Sequence, residues 1–223
     1  MPVARSIFCA LLVVLGAQTF WSHLTAREVQ HHGLVFENWI NDTFFNGHRP
    51  SYTGNWDIPA HINTSHGHIP INPKVAKWGS RIYLGDALRQ FDIDEPFLII
   101  IGFWEQHQHG KKKFVNITPL RIEKDQWRQL WHPLTREDLV ALDTLIKDRS
   151  AHYTTVRRLA RQMNARPPYN QSIVRLNPKI DPTGQRRLQC SLSFDNLKRL
   201  LPPGVSLEKN DSPSLWGETF HTD

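Results

Sequence analysis

Asp57 lies in the stretch Trp56, Asp57, Ile58, Pro59, and fifteen residues later the chain reads Asn72, Pro73, Lys74. Residues two apart on a strand share a face, so Asn72 and Lys74 point the same way and Ile71 and Pro73 the other. An acid on one strand beside a polar-x-Lys pair on the next is the layout of a metal-dependent phosphodiesterase. The acid holds a divalent cation, which polarises a phosphate and lowers the pKa of an attacking water. The lysine stabilises charge on the nucleophile or the phosphorane. Glu37, beside the apolar stripe of the first predicted helix, is a further candidate ligand. The bland alternative is that Asp57 caps a turn before Pro59 and Lys74 is an exposed strand lysine.

Charge adds a second pointer. The 223 residues carry 27 Lys and Arg against 21 Asp and Glu, a net +6. Residues 147–199 hold 12 basic and 3 acidic residues, leaving 15 basic and 18 acidic elsewhere. Positive charge gathered in one third of a chain is the footprint of a polyanion partner, nucleic acid first, unless it only solvates a face. Arg157, Arg158 and Arg161 fall on a predicted helix, and Arg186 and Arg187 open a late strand; these five are the expected nucleic-acid contacts.

The elements that must position these residues follow from periodicity and punctuation. Thr25 and Glu28 form a capping box, and Val29, Gly33, Phe36, Ile40 and Phe44 recur at helical spacing, which predicts a helix over 26–45 ended by Asn46 and Gly47. A short strand is expected at 56–58, a polar loop at 61–68, a strand at 69–77, another at 82–84 and a short helix through Phe91. The run Pro96–Trp104 is unbroken apolar and predicts a central strand covered on both faces, paired across a polar hairpin with 111–117. Helices are predicted at 123–131, 135–149 and 152–165. Strands are predicted at 172–180 and 186–194, then a short helix capped by Asp195. Trp127 and Trp131, at helical spacing, read as core or interface. With 39% hydrophobic residues the chain can bury a core, and the element order indicates one mixed α/β, or α+β, domain over 26–203 with a loose tail at 204–223.

Other features point elsewhere. Arg5 followed by the apolar stretch 7–20 has the layout of a secretory signal and is too short for a transmembrane span. Removing it would take Cys9 and leave Cys190 a lone thiol, which fits a reducing compartment better. The two cysteines of the chain exclude a disulfide framework. His61, His66 and His68 have no Cys or consistent carboxylate partner and read as loop residues. Asn41, Asn63, Asn116, Asn170 and Asn210 begin Asn-x-Ser/Thr sequons, which matter only in a eukaryotic secretory pathway. There is no Gly-rich phosphate loop and no sign of a small-molecule cofactor.

The residues HHGLVFENWI, WDIPAHIN and IPINPKVAKWGS, within 31–80, resemble the core of a type II restriction endonuclease of the PD-(D/E)xK class. The continuation IYLGDALRQFDIDEPFLIIIGFW and the late RRLQCSLSF extend the likeness over roughly 27–201. The resemblance implies a restriction endonuclease-like core, a mixed central sheet flanked by helices. It implies a Mg²⁺-dependent, sequence-specific endonuclease acting on double-stranded DNA, a homodimer matched to a palindromic site, and a cognate DNA methyltransferase encoded nearby. Asp57 matches the first metal-binding acid, Lys74 the catalytic lysine and Glu37 the helix acid. Asn72 departs from the class, which has Asp or Glu there; an amide oxygen can coordinate Mg²⁺ but brings no charge. The site then recruits Glu37, or is weakened, or is dead. Two other readings stand beside it: a catalytically inactive DNA-binding protein on the same fold, and a secreted non-nuclease domain. A nuclease of this kind meets DNA in the cytoplasm, which makes residues 1–25 a misplaced start; a genuine signal over 1–17 implies secretion.

Overall fold

The apolar run after Pro96 organises the molecule. In a computed structural model that describes residues 33–50, 56–107 and 111–221, it forms β3 (Phe97–Gln106). β3 is the middle strand of a sheet ordered β1–β3–β4, with β1 (Ile71–Lys77) parallel and β4 (Lys112–Ile122) antiparallel to it. Its side chains alternate between two cores, Leu98 and Ile100 in one, Phe97, Ile99, Ile101 and Phe103 in the other. Covering both faces is what an unbroken apolar strand requires.

One face is closed by helix α1, which spans 33–44 and inserts Phe36 and Ile40. At Gly102 a Cβ would lie 2.6 Å from Phe114 Cε1 and 2.9 Å from Phe36 Cζ, so two rings close over a position where no side chain fits. Helix α1 ends as expected: Asn46 and Gly47 take positive φ (50° and 71°), and Gly47 N–H donates to Asn41 O at 3.0 Å. The Thr25 capping box and the N-terminal segment 1–25 lie outside the described residues.

The other face packs on helices and a second sheet. β2 (Ile82–Asp86), β6 (Arg186–Leu192) and β5 (Arg175–Ile180) pair antiparallel in the order β2–β6–β5. Between the strands come α2 (Ala87–Phe91), α3 (Lys124–Trp131), α4 (Arg136–Lys147) and α5 (Tyr153–Asn164), then α6 (Phe194–Lys198). Thr135 and Asp138 cap α4 reciprocally. Trp127 and Trp131 are both buried, so they are core. The strand prolines Pro73, Pro119 and Pro178 sit on β1, β4 and β5, which are edge strands, where a missing N–H breaks no ladder. The fold is mixed α/β, with helices on sheets. Among the described residues no helix is long and apolar enough to cross a membrane.

Four expectations need correction. The strands divide into two three-stranded sheets and a hairpin instead of one central sheet; β2 pairs with β6, leaving β1 an edge strand. The strand expected at 56–58 is a single antiparallel bridge, Ile58 to Ile71; the next hydrogen-bonded pair along the strand would set Trp56 opposite Pro73, which has no N–H to donate. The last helix is capped by Ser193, whose Oγ accepts from Asn196 N–H at 3.1 Å, and Asp195 lies inside its first turn. The tail expected to be loose at 204–223 is ordered at 214–220: β7 (Ser214–Leu215) and β8 (Glu218–Thr219) form a hairpin that buries Leu215 and Phe220 against α1 and β4. Leu207 and Trp216 also pack against the cores, and Asn210 N–H and the Glu208 carbonyl bond to Val115 and Asn116 of β4.

Candidate active site

Strand β1 presents its two faces differently. Ile71 and Val75 turn to the α1 core, while Ala76 belongs to the other core, so Asn72 and Lys74 turn away from α1 by alternation. The bridge between Ile58 and Ile71 brings Asp57 alongside. Lys74 Nζ lies 3.4 Å from Asp57 Oδ2, donates to Asn72 Oδ1, and donates to the Pro73 carbonyl at 2.8 Å. Asn72 is buried, and the Lys74 and Asp57 side chains are 18% and 34% exposed. The ammonium is thus held, partly exposed, with three oxygens around it.

Glu37, half-buried on α1, belongs to the same electrostatic unit. Burial, and secondarily the negative charge of Asp57, holds its carboxyl above the usual carboxylate range, while Lys74 pulls the other way. On β6 the buried Cys190 thiol is pushed far up, first by burial and then by Asp86, with Lys74 opposing. The Lys74 charge therefore acts on both the Glu37 carboxyl and the Cys190 thiol.

Of the four residues expected at the site, Asp57, Asn72 and Lys74 are in contact, and Glu37 on α1 is linked to them only through the action of the Asp57 and Lys74 charges on its carboxyl. What sequence reasoning missed is the Pro73 carbonyl as the third acceptor for Lys74; a backbone atom leaves no trace in residue type. The Asn72 amide has a definite task, since its oxygen orients the lysine.

The oxygen donors Asp57, Glu37 and Asn72 suit a hard cation. Among the described residues no group of three or more His, Cys, Asp and Glu is arranged to hold a metal; here the third donor is an amide. The Glu37 carboxyl, held high by burial and by the negative charge of Asp57, is relieved by a divalent cation placed near both acids. Mg²⁺, which takes one or two carboxylates and keeps several waters, fits such a set.

The histidines of the 61–68 loop do not form a metal site. His61 and His68 are exposed. His66 stacks on Trp216, with centroids 3.4 Å apart and planes 6° apart, beside Phe44 and Phe45. Asn63 shapes the loop by donating to His66 O and Ile69 O. It and Asn41 are completely buried, which removes both as modification sites in the folded chain.

The five arginines separate into two groups. Arg157 Nε donates to Ile180 O at 2.9 Å, and Arg186 donates to Asp148 O at 3.0 Å and Ile146 O at 3.3 Å, closing the end of α4. These two are committed to internal carbonyls, so their guanidinium groups are only partly available to a ligand. Arg158, Arg161 and Arg187 are exposed, and Arg158 reaches only Gln162, at 3.3 Å on the same helix. Comparisons with protein-family models, with curated proteins and with solved structures found no match for this chain.

Proposed function

We propose that the cleft hydrolyses phosphodiester bonds of double-stranded DNA with Mg²⁺, in the manner of the PD-(D/E)xK restriction endonucleases that the sequence resembles. The observation that carries this reading is the Lys74 ammonium held by Asp57, Asn72 and the Pro73 carbonyl where the Ile58–Ile71 bridge meets β1, with Glu37 of α1 near enough for the charges of Asp57 and Lys74 to act on its carboxyl. Bound Mg²⁺ supplies the Lewis acid that polarises the phosphate and acidifies the attacking water. Asp57 and Glu37 provide the negative charge that holds the cation. Asn72 and the Pro73 carbonyl fix Lys74, whose charge stabilises the nucleophile or the phosphorane as negative charge develops. The finer fold, a restriction endonuclease-like core built on α1, β1 and β3, belongs to the same proposal. So do a homodimer on a palindromic site and a neighbouring methyltransferase gene.

A second reading has its own support. Lys74 bonds both Asp57 and Asn72, and with an amide at position 72 the ammonium can neutralise the cleft without a cation. The protein would then bind DNA without cutting it. Incubating the chain with a random-sequence duplex library and Mg²⁺, then sequencing new ends, separates the two. Endonuclease activity gives ends at one short motif, lost in Lys74→Ala. Retained binding with no new ends supports the inactive reading, and neither binding nor ends refutes both.

A further inference from the structure

Helix α5 runs beside β5, the end strand of its sheet. An edge strand turns unpaired carbonyls outward at every second residue. α5 satisfies two of them: Asn164 Nδ2 donates to Leu176 O at 3.1 Å, and Arg157 Nε to Ile180 O at 2.9 Å. Arg157, Arg161 and Asn164 recur at helical spacing and share one face. Arg161 therefore stands between the two ties, opposite Pro178, which has no N–H to offer. Arg161 is exposed, and no hydrogen bond or ion pair holds it among the described residues.

Between helix and strand the surface opens into a groove of about 380 Å³, lined by Arg157, Arg161, Pro178, Lys179, Asp181 and Gln185 among others. Two guanidinium groups and one acid line it, while the Lys179 ammonium sits 5.2 Å over the Tyr83 ring. The acid is already engaged: Asp181 accepts from Gln185 N–H at 2.9 Å and Thr183 Oγ1 at 2.8 Å, closing its own turn. Arg157 is a fixed charge, tied to Ile180 O and placed 5.3 Å over the Tyr153 ring. A guanidinium carries five N–H donors, so most of those on Arg161 and some of those on Arg157 remain to be satisfied. Planar forks of this kind match phosphate oxygens.

We propose that the groove between α5 and the free edge of β5 seats a backbone phosphodiester of bound DNA, with Arg161 donating and Arg157 as a fixed cation beside it. The choice of DNA rests on the reading of the cleft above, but the contact needs neither metal nor cleavage. It lies in the basic third of the chain, where 12 basic residues meet 3 acidic ones. Phosphate contacts position a protein on a duplex without reading its sequence, so this groove orients DNA and leaves specificity to other residues.

Anisotropy of a labelled duplex in EDTA, over a range of salt, tests this apart from catalysis. Arg161→Ala should flatten the plot of log affinity against log salt by about 0.9 per lost contact, equally for unrelated sequences. Arg161→Lys should restore most of the slope, and Arg128→Ala, an exposed change on α3, should leave it unchanged. An unchanged slope in Arg161→Ala overturns the proposal, as does an equal loss in Arg128→Ala. Thermal shift with inorganic phosphate is the second arm. A phosphate shift abolished by Arg161→Ala, with DNA binding unaffected, would assign the groove to a free anion and likewise overturn it. Failure of the cleft reading shows separately, as binding that persists without cleavage.

Discussion

Replacing Phe220 by Ala should cost the protein about 4 kcal/mol, a large share of the stability of an ordinary domain. Phe220 is 5% exposed and packs edge-on against Phe36 at 5.5 Å and Phe114 at 4.8 Å, and at a tilt against Trp39 at 4.8 Å. Truncating a buried Phe typically costs about 3–5 kcal/mol, and aromatic pairs add to simple burial. The hairpin's other anchors are the buried Leu215 and the half-buried Trp216, which packs on Phe44 and His66; the Lys113–Asp211 pair, 2.6 Å apart, has an almost fully exposed carboxylate and is therefore weak. For a chain of this length the loss corresponds to roughly 8–16 °C in Tm. Because Phe36 and Glu37 are neighbours on α1, loosening the hairpin should also displace the acid at the cleft. Denaturant unfolding gives the magnitude, and hydrogen exchange along 33–44 reads the helix. Val205→Ala, at a half-exposed residue before the hairpin, should change stability by less than about 0.5 kcal/mol. A Phe220→Ala loss under about 1 kcal/mol with unchanged exchange in α1 would refute the claim that the C-terminal segment braces the helix.

Gly102→Ala should destabilise by about 1–3 kcal/mol in the same denaturation assay, because the new methyl meets Phe114 at 2.6 Å; wild-type stability would show that the rings have room to part. Cys190 should resist thiol reagents near neutral pH and react only at the rate of unfolding, since burial and Asp86 both disfavour its thiolate; rapid labelling of the native protein would contradict that. Asn72→Asp should tighten Mg²⁺ binding by calorimetry if missing charge limits the site, whereas Glu37→Gln should be the damaging change if the helix acid already supplies it. Unchanged affinity in both variants would place the cation elsewhere.

The sequence made the skeleton legible where a local signal and a tertiary demand coincided. Phe97 to Phe103 had to be a strand covered twice, Thr135 had to cap a helix, and Asn46 with Gly47 had to end one. Asn72 and Lys74 could be set on one face because strand alternation fixes facing from spacing alone, whereas Asp57 reaches them through the Ile58–Ile71 bridge. Partnerships between distant segments were less visible. Nothing near Ile82 announces that it pairs with Leu192 instead of joining β1. The hairpin at 214–219 has the two-residue turn of Trp216 and Gly217, both at positive φ, but a Trp in that conformation is a poor sequence signal. Arg157 and Arg186 read as nucleic-acid contacts because their partners are carbonyls of Ile180 and Asp148, which residue type does not encode.

The central claim is that Asp57 holds the cation on which hydrolysis depends. The direct measurement is cleavage of duplex DNA by wild-type and Asp57→Ala protein in Mg²⁺, with binding to the same duplex followed in parallel. The claim predicts that cleavage by the variant falls to background while its fold and DNA affinity are kept, because only the acid that holds the Lewis acid is gone. Undiminished cleavage by Asp57→Ala would contradict it and move the chemistry to another part of the molecule.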